Sequence, residues 1–174
     1  MALPNTGPLS LSMIQGEFGG SNPISLSEYY AGGLFVPAGT TGINGPVPSS
    51  GSISFRHFLG TSKPRLNLSL SSPSAGFTFT NSPPSLTPST RELTSDTITG
   101  TASHGTTPYT FAWSRVSGST AITATNPTSN ISAFTATVSV DTFVEAVFRL
   151  TVTDAQSAQA SADVTVILTY HSGF

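Results

Sequence analysis

The chain has 174 residues, a formal net charge of −2 at pH 7 and no cysteine, with charged residues at 8% and hydrophobic ones at 37%. Ordinary soluble domains carry roughly 25% charged residues; here serine and threonine take their place, which suits uncharged β-rich surfaces better than a cytosolic enzyme. Such a balance excludes a basic field for nucleic acid or anionic lipid, and the lack of cysteine excludes disulfides and thiolate chemistry.

The first eight residues, Met1-Ala2-Leu3-Pro4-Asn5-Thr6-Gly7-Pro8, have neither a basic start nor a continuous apolar stretch, so no signal peptide is expected. No segment approaches the roughly 18 apolar residues of a membrane span. Small exported domains often lean on disulfides, and this chain has none. The expectation is a soluble protein made without export and assembled in a reducing cytoplasm.

Residues 9 to 60 repeat one short phrase three times: Leu9-Ser10-Leu11-Ser12-Met13-Ile14, Ile24-Ser25-Leu26-Ser27-Glu28-Tyr29 and Ile53-Ser54-Phe55-Arg56-His57-Phe58. Each alternates apolar and polar residues and meets a glycine soon after, at Gly16, Gly32 and Gly60. Pro8 and Pro23 hold the entering chain extended. Ser12-x-x-Gln15 and Ser25-x-x-Glu28 have the form of capping boxes. Each phrase is therefore read as a few extended residues followed by about one helical turn, ended by glycine. Val36 to Gly51 is rich in glycine and proline and is read as a loop able to make contacts.

The apolar residues of this part are too few to support a fold of their own with ease. They either form a private small core or face a partner or a symmetry mate, and the sequence leaves both open. The docking candidates are Leu9, Leu11, Ile14, Phe18, Ile24, Leu26, Tyr29, Tyr30, Phe35, Ile53, Phe55 and Phe58. Leu34 and Leu59 complete the apolar set.

Gly60-Thr61-Ser62-Lys63-Pro64 marks a boundary, giving a repeat module over 1–60, a linker over 61–64 and a second domain over 65–174. This domain reads as an all-β sandwich. Its candidate strands are 65–70, 76–80, 96–102, 109–116, 133–140, 146–153 and 160–169, a density matching immunoglobulin-like (Ig-like) domains. Alternation is clear in Phe148-Arg149-Leu150-Thr151-Val152-Thr153 and in Val164-Thr165-Val166-Ile167-Leu168, with Asp154-Ala155-Gln156-Ser157 as the turn between them. The core candidates are Phe111, Trp113, Phe148, Leu150, Val152, Val164 and Val166.

Catalytic patterns are missing from the sequence. His57, His104 and His171 are scattered, and there is no Gly-x-Ser-x-Gly elbow, no His-Glu-x-x-His pattern and no phosphate-binding glycine loop. Asp141, Asp154 and Asp163 near strand ends lack the spacing of a calcium loop, and turn formation is the ordinary role of Asp154. No catalytic residue, cofactor or metal ligand is expected. The serine- and asparagine-rich loops Ser117–Ser119 and Asn126–Asn130 suit either glycan binding or an inert solvated surface.

Two resemblances follow from longer stretches. Thr107-Pro108-Tyr109-Thr110-Phe111-Ala112-Trp113, Phe148-Arg149-Leu150-Thr151-Val152-Thr153-Asp154 and Ala162-Asp163-Val164-Thr165-Val166 resemble bacterial and viral Ig-like domains, including the PKD type. Phe148 takes the position usual for the tyrosine corner, and no cysteine pair joins the sheets, so core packing alone must hold them. In the front part, Gly7-Pro8-Leu9-Ser10-Leu11-Ser12, Gly20-Ser21-Asn22-Pro23-Ile24-Ser25-Leu26-Ser27-Glu28-Tyr29-Tyr30 and Val47-Pro48-Ser49-Ser50-Gly51-Ser52-Ile53-Ser54-Phe55 resemble the start of tailed-bacteriophage virion proteins.

The resemblance implies a non-enzymatic virion component whose N-terminal module docks to the particle and whose Ig-like domain projects outward. Tail, neck or baseplate is the favoured position; a capsid decoration or head-fibre protein and a host-adhesion module are the alternatives. The implied partners are other virion proteins and further copies of the chain, with neither nucleic acid nor membrane.

Overall fold

The computed structural model describes residues 2–81 and 88–173. The chain divides into two compact units, Met1–Arg65 and Leu66–Phe174. The structure is mostly β, and among the described residues the helical turns lie in the first unit.

In the first unit the three phrases become three capped turns in the same register. Helix α1, Leu11–Phe18, starts from Ser10, whose Oγ accepts the Met13 amide at 3.3 Å. A 3-10 turn, Leu26–Tyr29, follows Ser25, whose amide donates to Glu28 Oε1 at 3.1 Å. After a short hairpin of β1 (Thr41–Gly42) and β2 (Gly45–Pro46), a second 3-10 turn, Phe55–Phe58, follows Ser54, whose amide donates to His57 Nδ1 at 3.1 Å. A serine thus sits at each N-cap, where its backbone is extended and its neighbours' free amides need acceptors.

Two details differ from the expected turns. Ser12 and Gln15 form no capping box, because α1 starts two residues earlier and Ser12 lies inside it. Gly16 lies inside the helix too, which runs on for two turns and ends at Gly19. The earlier start sets Ile14 and Phe18 one turn apart on a single face, both buried.

The fourth helical residue of each phrase, Ile14, Tyr29 and Phe58, is fully buried. With Leu3, Phe18, Val36 and Val47 they form the core of this unit. Phe58 meets Phe18 edge-on at 6.2 Å between ring centres and Tyr29 at 6.4 Å, and Phe35 lies 5.6 Å from Tyr29. The residue before each N-cap (Leu9, Ile24 or Ile53) is half-buried, the position of a hydrophobic staple.

Residues 61–64, expected as a linker, are tied into this unit. Thr61 is fully buried and its Oγ1 donates to the Phe58 carbonyl at 2.8 Å. The Leu3 amide donates to the Thr61 carbonyl at 2.8 Å, and the Lys63 amide to Glu17 Oε1 at 2.8 Å. The division between the units falls after Arg65.

The second unit holds β3 (Asn67–Leu70), β4 (Ser74–Asn81), β5 (Thr90–Thr94), β6 (Ile98–Ser103), β7 (Thr110–Gly118), β8 (Thr123–Ala124), β9 (Ile131–Ser132), β10 (Phe134–Ser139), β11 (Thr142–Thr153) and β12 (Gln159–Ser172). One sheet has the order β4-β12-β11-β7; the facing layer has ladders β3-β6-β9 and β5-β10-β8. These ladders run on into each other, since β9 and β10 are separated by one residue and the Ser95 amide after β5 donates to the Phe134 carbonyl at 2.8 Å. β4 pairs parallel with β12, and the other pairings of this unit are antiparallel.

Alternation along β11 and β12 sends Ala146, Phe148, Leu150, Val152, Val164, Val166, Leu168 and Tyr170 inward, all buried. Trp113 is buried with them and its Nε1–H donates to the Ser129 carbonyl at 3.0 Å; Phe111 is half-buried at the margin. Phe134 bridges the layers, with its ring 5.3 Å from Trp113 and 4.7 Å from Phe148. The strand Thr90–Thr94 was not expected from the sequence: only Leu93 of its five residues is apolar, and its ladder to β10 is non-local.

Candidate docking surface

Burial sorts the sequence-derived docking candidates. Ile14, Phe18, Tyr29 and Phe58 are buried inside the first unit, so the expectation of an outward role is corrected for these four: their side chains already touch one another. Leu9, Leu11, Leu26, Phe35 and Ile53 are partly buried against the same core, and Ile24 and Tyr30 are half-buried. The Tyr30 hydroxyl donates to the Gly51 carbonyl. Burial, and secondarily the Glu28 charge, raises the Tyr29 phenol above the usual tyrosine range, and its hydroxyl donates to the Gly19 carbonyl at 2.9 Å.

What this unit leaves outside is a different apolar set. Leu34 is 84% exposed, Ile43 57%, Phe55 40% and Met13 39%. Leu34 follows Gly32-Gly33, and Ile43 lies in the turn of the β1–β2 hairpin. Phe55 opens the third turn, and Met13 lines an open groove of about 430 Å³ with Ala2, Leu3, Pro4, Gly16 and Glu17. Of these four, only Phe55 was among the sequence-derived docking candidates. Ile43 was legible as a lone apolar residue between Gly42 and Asn44-Gly45, a position where a polar turn residue is usual.

The hairpin is fastened to the third turn. The Ile43 amide donates to the Leu59 carbonyl at 2.9 Å, and Asn44 Nδ2 donates to the Arg56 carbonyl at 2.8 Å. Ile43 and Phe55 therefore ride on mutually supporting segments. Such a set can bury apolar area against a partner. It does not assemble a nucleophile: Ser54 Oγ lies 3.3 Å from His57 Nδ1, but that nitrogen already accepts the Ser54 amide.

In the second unit Asp141, Asp154 and Asp163 lie apart along the β11–β12 ribbon. Asp141, before β11 and in the left-handed region (φ 57°), accepts the Ser172 amide at 2.8 Å and the Ser172 hydroxyl. The hydrogen bond from the Ser172 amide, then that from its hydroxyl, holds the Asp141 carboxyl below the usual range. Asp163 faces Arg149 across the strands in a two-pronged pair at 2.7 and 2.8 Å, and those hydrogen bonds hold its carboxyl low. Asp154, nearly buried in the hairpin turn, accepts the amides of Thr106, Gln156 and Ala158 at 2.8–2.9 Å. Among the described residues no three His, Cys, Asp or Glu side chains gather to hold a metal ion.

The two candidate glycan loops differ in how they are held. Asn126–Asn130 is tied inward: the Pro127 carbonyl accepts the Trp113 amide at 2.8 Å, and Asn130 Nδ2 donates to the Gly100 carbonyl at 3.1 Å. Ser117–Ser119 lies at the end of β7, where the register with β11 shifts. The outer face of the four-stranded sheet carries Phe143, 62% exposed, and Ile167, 42% exposed.

Residues 90–168 match the family model described as K319L-like, PKD domain. Two solved structures are similar. One is the PKD domain from KIAA 1837 protein, 23% identical, covering 59% of this chain and 86% of that one at a TM-score of 0.38. The other is a PKD domain from human KIAA0319, 18% identical, covering 71% of this chain and 93% of that one at a TM-score of 0.35. No curated protein matches the chain. The second unit thus carries a PKD-like, Ig-like domain.

Proposed function

We propose that the chain is a non-enzymatic structural component of a tailed-phage virion, fastened by its N-terminal unit and displaying its PKD-like domain outward. The observation that carries this reading is the division of labour within the first unit. Its three capped turns close a private core, yet Leu34, Ile43, Phe55 and Met13 stay on the surface. Apolar area returned from solvent gains about 25 cal/mol per Å². A unit this small, leaving large apolar side chains on loops and turns, is suited to burying them against another protein.

The resemblance of residues 7–12, 20–30 and 47–55 to the start of tailed-phage virion proteins supplies the kind of partner. It favours the tail, neck or baseplate over the head. An interface of about 1,600 Å² would hold the unit firmly, and symmetric copies would multiply the attachment. In this reading the PKD-like domain is a spacer or display element.

Cryo-electron microscopy of intact particles, with gold-labelled antibody against residues 66–174, tests the reading. Label on the tail, neck or baseplate is expected. Label spread over the head would make the chain a decoration protein. Absence of label from purified particles would overturn the virion assignment.

A further inference from the structure

The three phrases share an extended serine N-cap but differ at their third helical residue: Met13, Glu28 and His57. In the second phrase the Glu28 carboxylate accepts the Ser25 amide at 3.1 Å. In the third phrase the same place is taken by His57, whose Nδ1 accepts the Ser54 amide at 3.1 Å, with Ser54 Oγ at 3.3 Å. We propose that His57 is an acid-sensitive latch, holding the third turn closed while its imidazole is neutral and releasing it when the ring takes a second proton.

The chemistry is one of donor and acceptor count. Neutral imidazole offers one acceptor nitrogen, whereas imidazolium has two donors and no acceptor. Protonation would set an N–H against the Ser54 N–H and orphan that amide. It would also place positive charge at the start of a helical turn, where backbone amides already point outward. Histidine is the side chain whose charge changes between about pH 5 and 8, so this is the residue type that makes such a cap switchable. Glutamate in the second phrase makes the same bond and stays an acceptor through that range.

Among the described residues the hydrogen bonds of the His57 ring go to Ser54. The β1–β2 hairpin carries no titratable side chain. From α1, Glu17 accepts the Lys63 amide, and from the other 3-10 turn, Glu28 accepts the Ser25 amide. Arg56, beside His57 in the same turn, has the same sign as the imidazolium.

Release would spread from the latch. Phe58, the next residue, is a central ring of the core. Carbonyls of Arg56 and Leu59 hold Asn44 and Ile43 of the hairpin. Acid would therefore loosen the segment that presents Ile43 and Phe55. That consequence for attachment rests on the proposed docking role; the latch itself does not.

Amide hydrogen exchange of Ser54 in the full chain tests it, compared at about pH 7.5 and 5.5 after correction for intrinsic exchange. Protection is expected to fall about five- to tenfold on acidification, the equivalent of one net hydrogen bond. His57→Gln and His57→Glu keep a non-donating oxygen acceptor at both pH values and should abolish the fall. If either variant fails to fold, Glu28→His serves instead: it should confer the same acid loss on the Ser25 amide. Constant Ser54 protection in the wild type, an equal fall in the variants, or an acid-indifferent Ser25 in Glu28→His would each overturn the latch.

Discussion

Gly100 of β6 lies directly against Leu150 of β11: a Cβ on Gly100 would overlap Leu150 Cδ2 and stand 3.4 Å from Leu68 Cδ1. The backbone of Gly100 is held there by Asn130, its amide donating to the Asn130 carbonyl at 2.7 Å and its carbonyl accepting Asn130 Nδ2. The glycine is needed for close approach of the two layers. Gly100→Ala should destabilise the second unit by about 1–3 kcal/mol through overpacking. Leu150→Ala should cost about 2–5 kcal/mol through a cavity. The double variant should lose less than the sum, because the new methyl occupies part of the space vacated. Urea unfolding of the three variants measures this, and strict additivity would mean that the two side chains do not compete for one space.

Trp113 makes a second joint between layers, through its edge-on contact with Phe134 and its indole N–H bond to the Ser129 carbonyl. Trp113→Phe keeps an aromatic ring but removes the donor. It should cost about 1–3 kcal/mol, as expected for a carbonyl deprived of its partner near the core. Trp113→Ala should cost about 3–5 kcal/mol. Thermal unfolding compares them. Trp113→Phe as stable as the wild type would show that packing alone accounts for Trp113.

The ease with which the sequence yields each element follows from how local its cause is. β11 and β12 are visible as alternation, because one side of each strand faces the core along its whole length. β5 is not, because Thr90-Arg91-Glu92-Leu93-Thr94 is a strand only through pairing with β10, more than 40 residues on. In the first unit the apolar residues are visible, but their direction is not. Two serines, Ser10 and Ser12, could each cap a helix, and the burial of both Ile14 and Phe18 accompanies the earlier start. The same limit applies to the candidate surface. Leu34 looks like any other apolar residue until the chain around it is folded.

Acid response of the second unit is expected to lie in its carboxylates. Asp141 and Asp163 are both held below the usual range, chiefly by hydrogen bonds from Ser172 and Arg149. A depressed folded value means that their stabilising effect is complete above the unfolded value of about 3.9 and fades as pH falls through the folded one. Both groups are open to solvent, so the effect is small. Asp163→Asn and Asp141→Asn should flatten the stability profile below about pH 4 and leave its slope between about pH 5 and 8 unchanged. Asparagine tolerates the left-handed backbone of residue 141, so this substitution separates charge from strain. An altered slope near neutrality would assign the response to another group.

The docking proposal makes opposite predictions for inside and outside residues. Phe58 is fully buried among Phe18 and Tyr29, so Phe58→Ala should cost about 3–5 kcal/mol and weaken attachment by unfolding the unit. Leu34 and Ile43 are mostly exposed, so Leu34→Ser and Ile43→Ser should change stability by no more than about 0.5 kcal/mol. If these side chains are anchors, the double variant Leu34→Ser/Ile43→Ser should nonetheless be depleted from purified particles by tenfold or more, since about 1.4 kcal/mol of lost binding is a factor of ten. Thermal unfolding of the purified variant and quantitative mass spectrometry of particles separate the two effects. Normal copy number with Leu34 and Ile43 both replaced would remove these residues from the interface, and normal incorporation of a chain lacking residues 1–65 would remove the whole unit from attachment.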